Sequence, residues 1–305
     1  MNNKVAFICP IYDMKNHFDL AVNLYKSKID LGIDDDFYFV FSNEEQKEKL
    51  SRRIKEELNA EFFSIVIPEE LLPYKSKVVV KKLYALKCLM DKYEYLSLID
   101  SESIFIKNGD FYNIFKNIWE HENCLKSNVS YDGFRILRTC FQTMNIYFNP
   151  RLLWEFRFYK YNFWFNEIPV YKCENLPEFF VWLEQFDKNG YLNEWLCFEY
   201  YIYAAFLIIK KGYHLHRYKS LKSSGGIMEY LPMFPSEEQT QILDQLETHW
   251  SSNPKVINDN TYLLFHLDRL NENNYGLPVS EERKAIRNRR KTILKDIVKH
   301  ILGRI

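Results

Sequence analysis

Tyr95-Leu-Ser-Leu-Ile-Asp100-Ser-Glu102-Ser-Ile-Phe-Ile106 is the stretch that decides how this sequence folds. An apolar run ends on Asp100, Glu102 follows two residues later, and a second apolar run begins at once. A short apolar run bounded by polar residues is typical of a buried strand. In an open α/β sheet, ligands bind beyond the carboxyl ends of the strands, so we expect both carboxylates at a ligand site. Unpaired buried charge is costly, and Mg²⁺ or Mn²⁺ prefers carboxylate oxygens, so the pair predicts a divalent cation.

The residues before this stretch alternate between strand and helix patterns. Apolar runs predict strands over Lys4–Cys9, Phe37–Phe41, Phe62–Ile67 and Tyr95–Ile99, and helical spacing predicts helices over 16–31, Asn43–Leu58 and Lys75–Lys92. Strands that alternate with helices of this length indicate βαβ units and a parallel sheet. Near-continuous apolar strands are typical of a sheet covered on both faces. The predicted fold class is therefore α/β, with a Rossmann-like, mostly parallel central sheet flanked by helices.

The second half of the chain is richer in helices and aromatic residues. The patterns predict helices over Asp110–His121, Leu176–Phe186 and Asn193–Lys211, strands over Met144–Phe148 and Thr261–Phe265, and a loop over Ser220–Pro235. No break in composition marks a linker. We therefore predict one domain over residues 1–279, whose second half (108–279) elaborates its first half (1–107).

Composition excludes several classes of protein. The chain has 305 residues, 41 basic and 41 acidic, and 47% hydrophobic residues, which rules out disorder. The zero net charge argues against nucleic acid as the main partner. Six scattered cysteines without metal-ligand spacing predict reduced thiols in a cytoplasmic protein. The most apolar stretch, Tyr200–Ile209, is shorter than the roughly 20 residues that a membrane-spanning helix needs.

Residues 280–305 form a basic segment with an amphipathic pattern. Nine Lys or Arg against three acidic residues give it a charge of +6, so residues 1–279 carry −6. An apolar stripe at helical spacing comprises Ile286, Ile293, Leu294, Ile297, Val298, Ile301 and Leu302. A helix of this kind can lie on an anionic membrane, which predicts peripheral contact with the inner face of the membrane. The alternative is a helix that packs its stripe on the core and leaves its basic face in solvent.

The order of elements up to residue 107 resembles that of nucleotide-sugar-dependent glycosyltransferases of the GT-A fold, above all bacterial enzymes of surface polysaccharide synthesis. The resemblance covers residues 4–107 and includes Lys81-Lys82-Leu-Tyr-Ala-Leu86, in a helix, and the stretch YLSLIDSESIFIK. In that family an Asp-x-Asp motif after the fourth strand holds a divalent metal on the donor diphosphate. Here the second acid is Glu102. The resemblance implies a UDP- or GDP-sugar donor, a saccharide or glycolipid acceptor, and Mn²⁺ or Mg²⁺. It also implies that residues 1–107 bind the donor and residues 108–279 bind the acceptor.

The resemblance also implies roles for individual residues on the donor side. Asp100 would contact the donor ribose or sugar, and Asp100 and Glu102 would hold the metal. Pro10, Ile11 and Tyr12 would border the nucleotide base, on which Tyr12 could stack, and Lys81 or Lys82 would reach the diphosphate. A further metal ligand often comes from a late strand, and His266, which follows the apolar run TYLLF, is the best candidate.

On the acceptor side the sequence leaves several candidates open. Inverting enzymes of this fold use a carboxylate as general base, and Glu194, Glu199 and Asp132 are the candidates. An acid at the start of a helix is also favoured by the helix dipole alone, which suits Glu194. Between Tyr147 and Phe165 ten of nineteen residues are aromatic, typical either of a sugar-binding groove or of an aromatic core. Trp164 is the candidate for stacking on the acceptor.

Two other functions compete with a glycosyltransferase. A nucleotidyltransferase shares this layout, but it needs a Gly-rich phosphate loop after the first strand, and the segment CPIYDMKN contains no glycine. A non-catalytic carbohydrate-binding or assembly subunit would explain the aromatic residues but not the two strand-end carboxylates. Motifs of serine hydrolases, P-loop NTPases, dinucleotide-binding enzymes and zinc proteases are absent from the sequence. The sequence leaves the oligomeric state undetermined.

Overall fold

The architecture is that of a computed structural model, which describes residues 4–12, 17–105, 107–120, 124–127, 133–156, 170–186, 190–193, 197–217, 228–232, 264–268 and 279–303. Strands and helices alternate in its first part. Their bounds are β1 (Val5–Pro10), α1 (His17–Asp30), β2 (Asp36–Phe41), α2 (Glu44–Leu58), β3 (Phe63–Val66), α3 (Lys77–Leu89), β4 (Tyr95–Leu98), β5 (Ser103–Phe105) and α4 (Phe111–Glu120). Every strand and helix predicted in this part of the chain is present, with ends that differ by a few residues at most.

The remaining described elements are β6 (Cys124–Ser127), α5 (Gly133–Thr143), α6 (Pro150–Glu155), β7 (Val170–Lys172), α7 (Leu176–Glu184), α8 (Glu199–Lys211), β8 (His214–Arg217), β9 (Met228–Pro232), β10 (Leu264–Asp268) and α9 (Val279–Ile301). The helix predicted in the basic C-terminal segment is thus present. None of the described helices is both long enough and apolar enough to cross a bilayer.

The described strands form a five-stranded central sheet in the order β3-β2-β1-β4-β7. The pairs β1–β2, β2–β3 and β1–β4 are parallel, and β7 joins β4 as an antiparallel edge strand. Two smaller sheets have the orders β5-β10-β9 and β6-β8. The predicted α/β class, with a mostly parallel central sheet flanked by helices, is confirmed.

The central strand is buried on both faces, because helices pack on each side of it. All six residues of β1 are buried. One apolar cluster combines Phe7 with residues of α1, α2 and α4, and the rings of Phe105, Phe111 and Phe115 pack edge-on against Phe7 at centroid distances of 4.9–5.8 Å. Helix α3 contacts β1 and β2 but contributes nothing to that cluster, so it covers the opposite face. This arrangement explains why the strands are apolar without alternation.

Two predictions for the second half are wrong in whole or in part. Met144–Phe148, predicted as a strand, is a turn that ends α5. Asn145 adopts a left-handed conformation (φ 57°), and the next N–H, of Ile146, donates to the carbonyl of Phe141 at 2.8 Å. Asn tolerates this conformation and ends helices, so the local cap overrides the apolar pattern. Within the predicted loop Ser220–Pro235, Met228–Pro232 form β9, because they pair in parallel with β10.

Two further element bounds differ from the predictions. The helix predicted over Asn193–Lys211 begins at Glu199, after a 3-10 turn at Tyr191–Asn193. The late strand predicted over Thr261–Phe265 runs over Leu264–Asp268, and residues 261–263 lie outside the described residues. His214 and His216 lie on β8.

The chain separates into two compact units. Unit 1 comprises residues 1–120, 166–180 and 225–270, and unit 2 comprises 121–165, 181–224 and 271–305. The central sheet and the β5-β10-β9 sheet belong to unit 1, and the β6-β8 pair belongs to unit 2. A compact unit is not necessarily a domain, so the predicted division into 1–107, 108–279 and 280–305 stays a prediction.

Candidate functional site

The strand order of the central sheet reverses direction between β1 and β4. From β1 the chain moves outward to β2 and β3, and then returns to place β4 on the other side of β1. Both central strands are parallel, so Pro10-Ile11-Tyr12 and Ile99-Asp100 leave the same edge of the sheet. The Ile99 N–H donates to the Ile8 carbonyl at 2.8 Å, which extends the pairing up to this edge. The carboxyl edge at such a reversal is where open α/β sheets bind ligands.

Asp100, Ser101 and Glu102 form a tight turn between two sheets. The Ser103 N–H donates to the Asp100 carbonyl at 3.0 Å, and β5, which begins at Ser103, belongs to the β5-β10-β9 sheet. The predicted acidic motif is therefore held at both ends by strands. Pairing of the two strands with their sheets therefore fixes the backbone of the turn that carries the two carboxylates.

The two lysines of α3 reach this edge from beneath the surface. Lys81 and Lys82 are both buried, although a lysine pair on a helix is normally solvated. The Lys82 ammonium lies 3.1 Å from Asp100 Oδ1, with 6% of the lysine side chain and 42% of the aspartate side chain exposed. Lys81 Nζ donates to the carbonyl of Ile11. The N–H of Ile11 in turn donates to the carbonyl of Val40 at 2.9 Å. The edge therefore combines buried positive charge with a partly exposed carboxylate.

Glu102 is held by a chain of hydrogen bonds that starts at His17, the first residue of α1. The Ser101 hydroxyl donates to Glu102 Oε2 at 3.1 Å, and His17 Nδ1 lies 2.8 Å from Ser101 Oγ. A hydroxyl has one proton to donate, so Nδ1 of His17 donates to Ser101. The same nitrogen lies 3.8 Å from Glu102 Oε1. His17 and Ser101 are buried, and neither was predicted, because residues 84 apart in sequence show no shared pattern.

Tyr12 is the exposed aromatic residue of this edge. The residue is 39% exposed, and the centroid of its ring lies 5.0 Å from that of the His17 ring. Pro10 ends β1, and Ile11 is fully buried. Of the three residues predicted to border a nucleotide base, Tyr12 therefore offers a ring surface to solvent, whereas Ile11 offers its backbone to Lys81.

The electrostatic field of the two acids reaches the sheet beneath them. Cys9, in β1, is fully buried. Burial, followed by the negative charges of Asp100 and Glu102, raises the pKa of its thiol well above the usual range, and Lys82 and Lys81 oppose the shift. Cys9 is therefore a neutral structural thiol below a charged edge. Among the described residues, Cys9, Cys88, Cys140, Cys173 and Cys197 are free thiols, as predicted, and Cys88 is the exposed one.

Pairing of β10 with β5 places the backbone of His266 next to the acidic motif. Strand β10 pairs antiparallel with β5, and His266 lies opposite Ser103 in the register. Its side chain lies outside the described part of the chain, so its role as a metal ligand stays a prediction. The tertiary structure thus aligns a residue more than 160 positions downstream with the turn that carries Glu102.

The oxygen atoms of Asp100 and Glu102 are of the chemical type that binds a hard divalent cation. Asp100 and Glu102 supply carboxylate oxygens, and Mg²⁺ is commonly held by one or two carboxylates together with substrate phosphates. Among the residues whose side chains are described, no group of three or more His, Cys, Asp or Glu side chains could hold a metal ion by itself. The two acids therefore fit a cation that shares its remaining positions with a ligand.

The candidates for the acceptor side fall in unit 2 or outside the described residues. Glu199 begins α8 and is fully buried. Glu194, Asp132 and Trp164 lie outside the described residues. Within the aromatic stretch, Tyr147 and Phe156 are buried in unit 2, as the aromatic-core alternative predicts, whereas Trp154 is 76% exposed.

Unit 2 also contains an acid that the sequence did not single out. Glu155, at the end of α6, is buried and accepts from the Leu215 N–H at 2.8 Å. His214 Nδ1 lies 2.9 Å from its other oxygen, and the His214 side chain is largely exposed. These contacts join α6 to β8, which gives Glu155 a structural role.

Comparison with known proteins finds likeness in structure but not in sequence. No family model and no curated protein matches the chain. A galactosyltransferase, LgtC, in complex with donor and acceptor sugar analogs has 9% identity and a TM-score of 0.39 over 93% of this chain and 95% of that one. An active-site mutant of LgtC has 9% identity and a TM-score of 0.41, over 92% and 94% of the two chains.

A third structure, mouse xyloside xylosyltransferase 1 in its apo form, has 9% identity and a TM-score of 0.43 over 88% of this chain and 98% of that one. These solved neighbours are glycosyltransferases. At such low identity and TM-score, the likeness does not assign this chain to a family, and its function has to be argued from its own residues.

Proposed function

We propose that this chain is a GT-A-like glycosyltransferase that moves a sugar from a nucleoside-diphosphate donor to a saccharide or glycolipid acceptor. The observation that carries the proposal is the reversal of strand order between β1 and β4, at whose carboxyl edge Asp100, Glu102 and two buried lysines meet. A partly exposed carboxylate beside buried positive charge suits a ligand that brings both phosphate and a cation.

Each residue of the edge has a part in binding the donor. Tyr12, exposed at the end of β1, would stack on the base, with Pro10 and Ile11 beside it. Lys82 or Lys81 would contact the diphosphate. Mn²⁺ or Mg²⁺, held by Asp100 and Glu102, would supply Lewis-acid stabilisation of the leaving diphosphate. The position of His266 opposite Ser103 supports it as a further ligand.

The transfer itself needs an acceptor oxygen and a base. The acceptor hydroxyl oxygen forms a bond to the anomeric carbon while the bond to the diphosphate oxygen breaks, and the diphosphate leaves with the electron pair. If the transfer inverts the anomeric carbon, a carboxylate takes the hydroxyl proton, and Glu194, Glu199 and Asp132 remain the candidates. Trp164 remains the candidate for stacking on the acceptor. A UDP- or GDP-sugar, surface polysaccharide synthesis in a bacterium and a cytoplasmic, membrane-peripheral location belong to the same proposal.

Thermal unfolding with nucleoside diphosphates and sugar nucleotides, with and without Mn²⁺, tests the proposal. A ligand at a hundred times its Kd stabilises by about 2.7 kcal/mol, which raises Tm by roughly 4 °C for a chain of 305 residues. We expect a shift that depends on Mn²⁺ and is lost in Glu102→Gln, which keeps the side-chain volume. Asp34→Ala is the matched control, because Asp34 and Asp36 also form an Asp-x-Asp pattern, but at the amino end of β2.

The competing functions give different results in the same assay. An increase in Tm with nucleotide that persists without Mn²⁺ and in Glu102→Gln would contradict the role of the metal site. Stabilisation by sugars alone, with no response to any nucleotide, would support the carbohydrate-binding subunit. Turnover of a nucleoside triphosphate with release of pyrophosphate would support the nucleotidyltransferase.

A further inference from the structure

Helix α9 packs on the rest of unit 2 through its polar side. Asp296 is 1% exposed and accepts two hydrogen bonds from the Arg138 guanidinium, at 2.7 and 2.6 Å. Arg289, also buried, lies over the Phe134 ring at 4.7 Å. His300 stacks on Phe148 with ring centroids 4.0 Å apart. Arg289, Asp296 and His300 are spaced by seven and four residues, so they share one side of the helix.

Four apolar residues of α9 and of the turn that follows it lie on the opposite side and are exposed. Leu294, Val298, Ile301 and Leu302 are 54–76% exposed, and their spacing places them on one face. Of the predicted apolar stripe, Ile293 is buried on unit 2. The helix is therefore reversed relative to an ordinary surface helix, which buries its apolar face and exposes its polar one. A contiguous exposed apolar face of this kind marks an interaction surface.

Basic side chains surround this outward face. Arg290, Lys291, Lys295 and Lys299 are exposed along it, whereas Asp296, the acidic residue of this part of the helix, is buried. The outward face thus combines four aliphatic side chains with four positive charges. A second copy of the chain would bring the same four charges against them, and like charges across an interface are unfavourable.

We propose that the outward face of α9, formed by Leu294, Val298, Ile301 and Leu302 with its basic border, binds the surface of an anionic lipid bilayer. The aliphatic side chains enter the boundary between headgroups and acyl chains, and the lysines contact the anionic headgroups. The Arg138–Asp296 pair holds the helix so that this face points away from unit 2. The inference deepens the membrane-peripheral location of the proposed function by naming the surface that makes the contact and the lipid that it binds. Its evidence comes from α9 alone, so its test is independent of whether the chain transfers sugars.

Co-sedimentation of the full chain with vesicles tests this assignment. The two vesicles are phosphatidylcholine alone and an equimolar mixture with phosphatidylglycerol. We expect binding to the anionic vesicles that falls with added salt, because surface charges are screened. Lys295→Glu/Lys299→Glu should weaken it roughly 25-fold or more, because each lysine near an anionic surface contributes about fivefold. Leu294→Gln/Ile301→Gln should weaken it at least tenfold, since both side chains lose burial in lipid.

Matched controls lie on other helices. Val181→Gln changes an exposed apolar residue of α7, and Lys210→Glu changes an exposed lysine of α8; neither should alter vesicle binding. Thermal unfolding of each variant checks that the fold is retained. Equal binding of wild type and both double variants would overturn the proposal. So would a dimer in solution that Leu294→Gln/Ile301→Gln converts to a monomer, because the occupant of the face would then be a second copy.

Discussion

The Lys82–Asp100 ion pair should respond very differently to the loss of each partner. Removing the carboxylate with Asp100→Ala leaves a nearly fully buried ammonium, since only 6% of the Lys82 side chain is exposed. Breaking a buried pair in this way costs about 3–5 kcal/mol. Asp100 is 42% exposed, so solvent already screens part of the interaction, and we expect a smaller cost of roughly 2–3 kcal/mol. For a chain of 305 residues that corresponds to a fall in Tm of about 3–5 °C.

The reverse substitution, Lys82→Met, should change stability by less than about 1 kcal/mol. Methionine fills much of the space of the lysine stem, and the remaining Asp100 carboxylate is exposed enough to be hydrated. In the double variant, Asp100→Ala with Lys82→Met, both charges are absent, so most of the loss in Asp100→Ala should be recovered. Thermal and urea unfolding of the four proteins measure these differences as a double-mutant cycle.

Two results would refute this reasoning. If Lys82→Met and Asp100→Ala lowered the free energy of unfolding equally, the difference in burial between the two partners would not determine the loss of stability. A double variant as unstable as Asp100→Ala would mean that the buried ammonium is not the source of the loss. Nucleotide binding by Lys82→Met is measured in the same samples, and the proposed contact with a diphosphate predicts a loss of about 1.5–3 kcal/mol.

Two further predictions concern Asp35 and His17. Burial, with smaller contributions from neighbouring acids, raises the pKa of Asp35 from 3.8 to about 6, so its contribution to stability is fully present below pH 3.8 and is lost as pH rises through about 6. The free energy of unfolding of Asp35→Asn should therefore exceed that of wild type by about 1–3 kcal/mol at pH 8 and equal it at low pH. A difference that does not change with pH would contradict this prediction. His17→Phe, which keeps a ring but loses the N–H donated to Ser101, should weaken Mn²⁺ binding in the presence of nucleotide at least tenfold, as measured by calorimetry. His17→Asn, which keeps a donor, should lose less, and equal affinities of the two variants would exclude the positioning role.

The strands and helices of the first 107 residues could be predicted because local patterns determine them. Apolar runs stopped by Pro10, Pro68 or Asp100 give strands, and helical spacing between them gives the connecting helices. The position of Asp100 and Glu102 at a strand end followed from the same pattern. Where a local cap competes with apolar composition, as at Asn145, the composition alone gave the wrong element.

Most contacts of the candidate site could not be predicted, because they join residues far apart in sequence. His17 meets Ser101 across 84 positions, and His266 lies opposite Ser103 through the pairing of β5 with β10. The burial of Lys81 and Lys82 likewise depends on which face of α3 packs against the sheet. A spacing rule describes one element at a time, whereas these contacts depend on how separate elements pack.

The sequence by itself determined the α/β class, the order of the first strands and helices, and the presence of two carboxylates at a strand end, since hydrophobic periodicity and strand ends are local properties. Only the tertiary structure decided that β4 returns to the far side of β1, that His17 and Lys82 hold the acids, and that α9 buries Asp296 and exposes Ile301. An amphipathic pattern specifies that a helix has two faces. Which face is buried is decided by partners such as Arg138, 158 residues away.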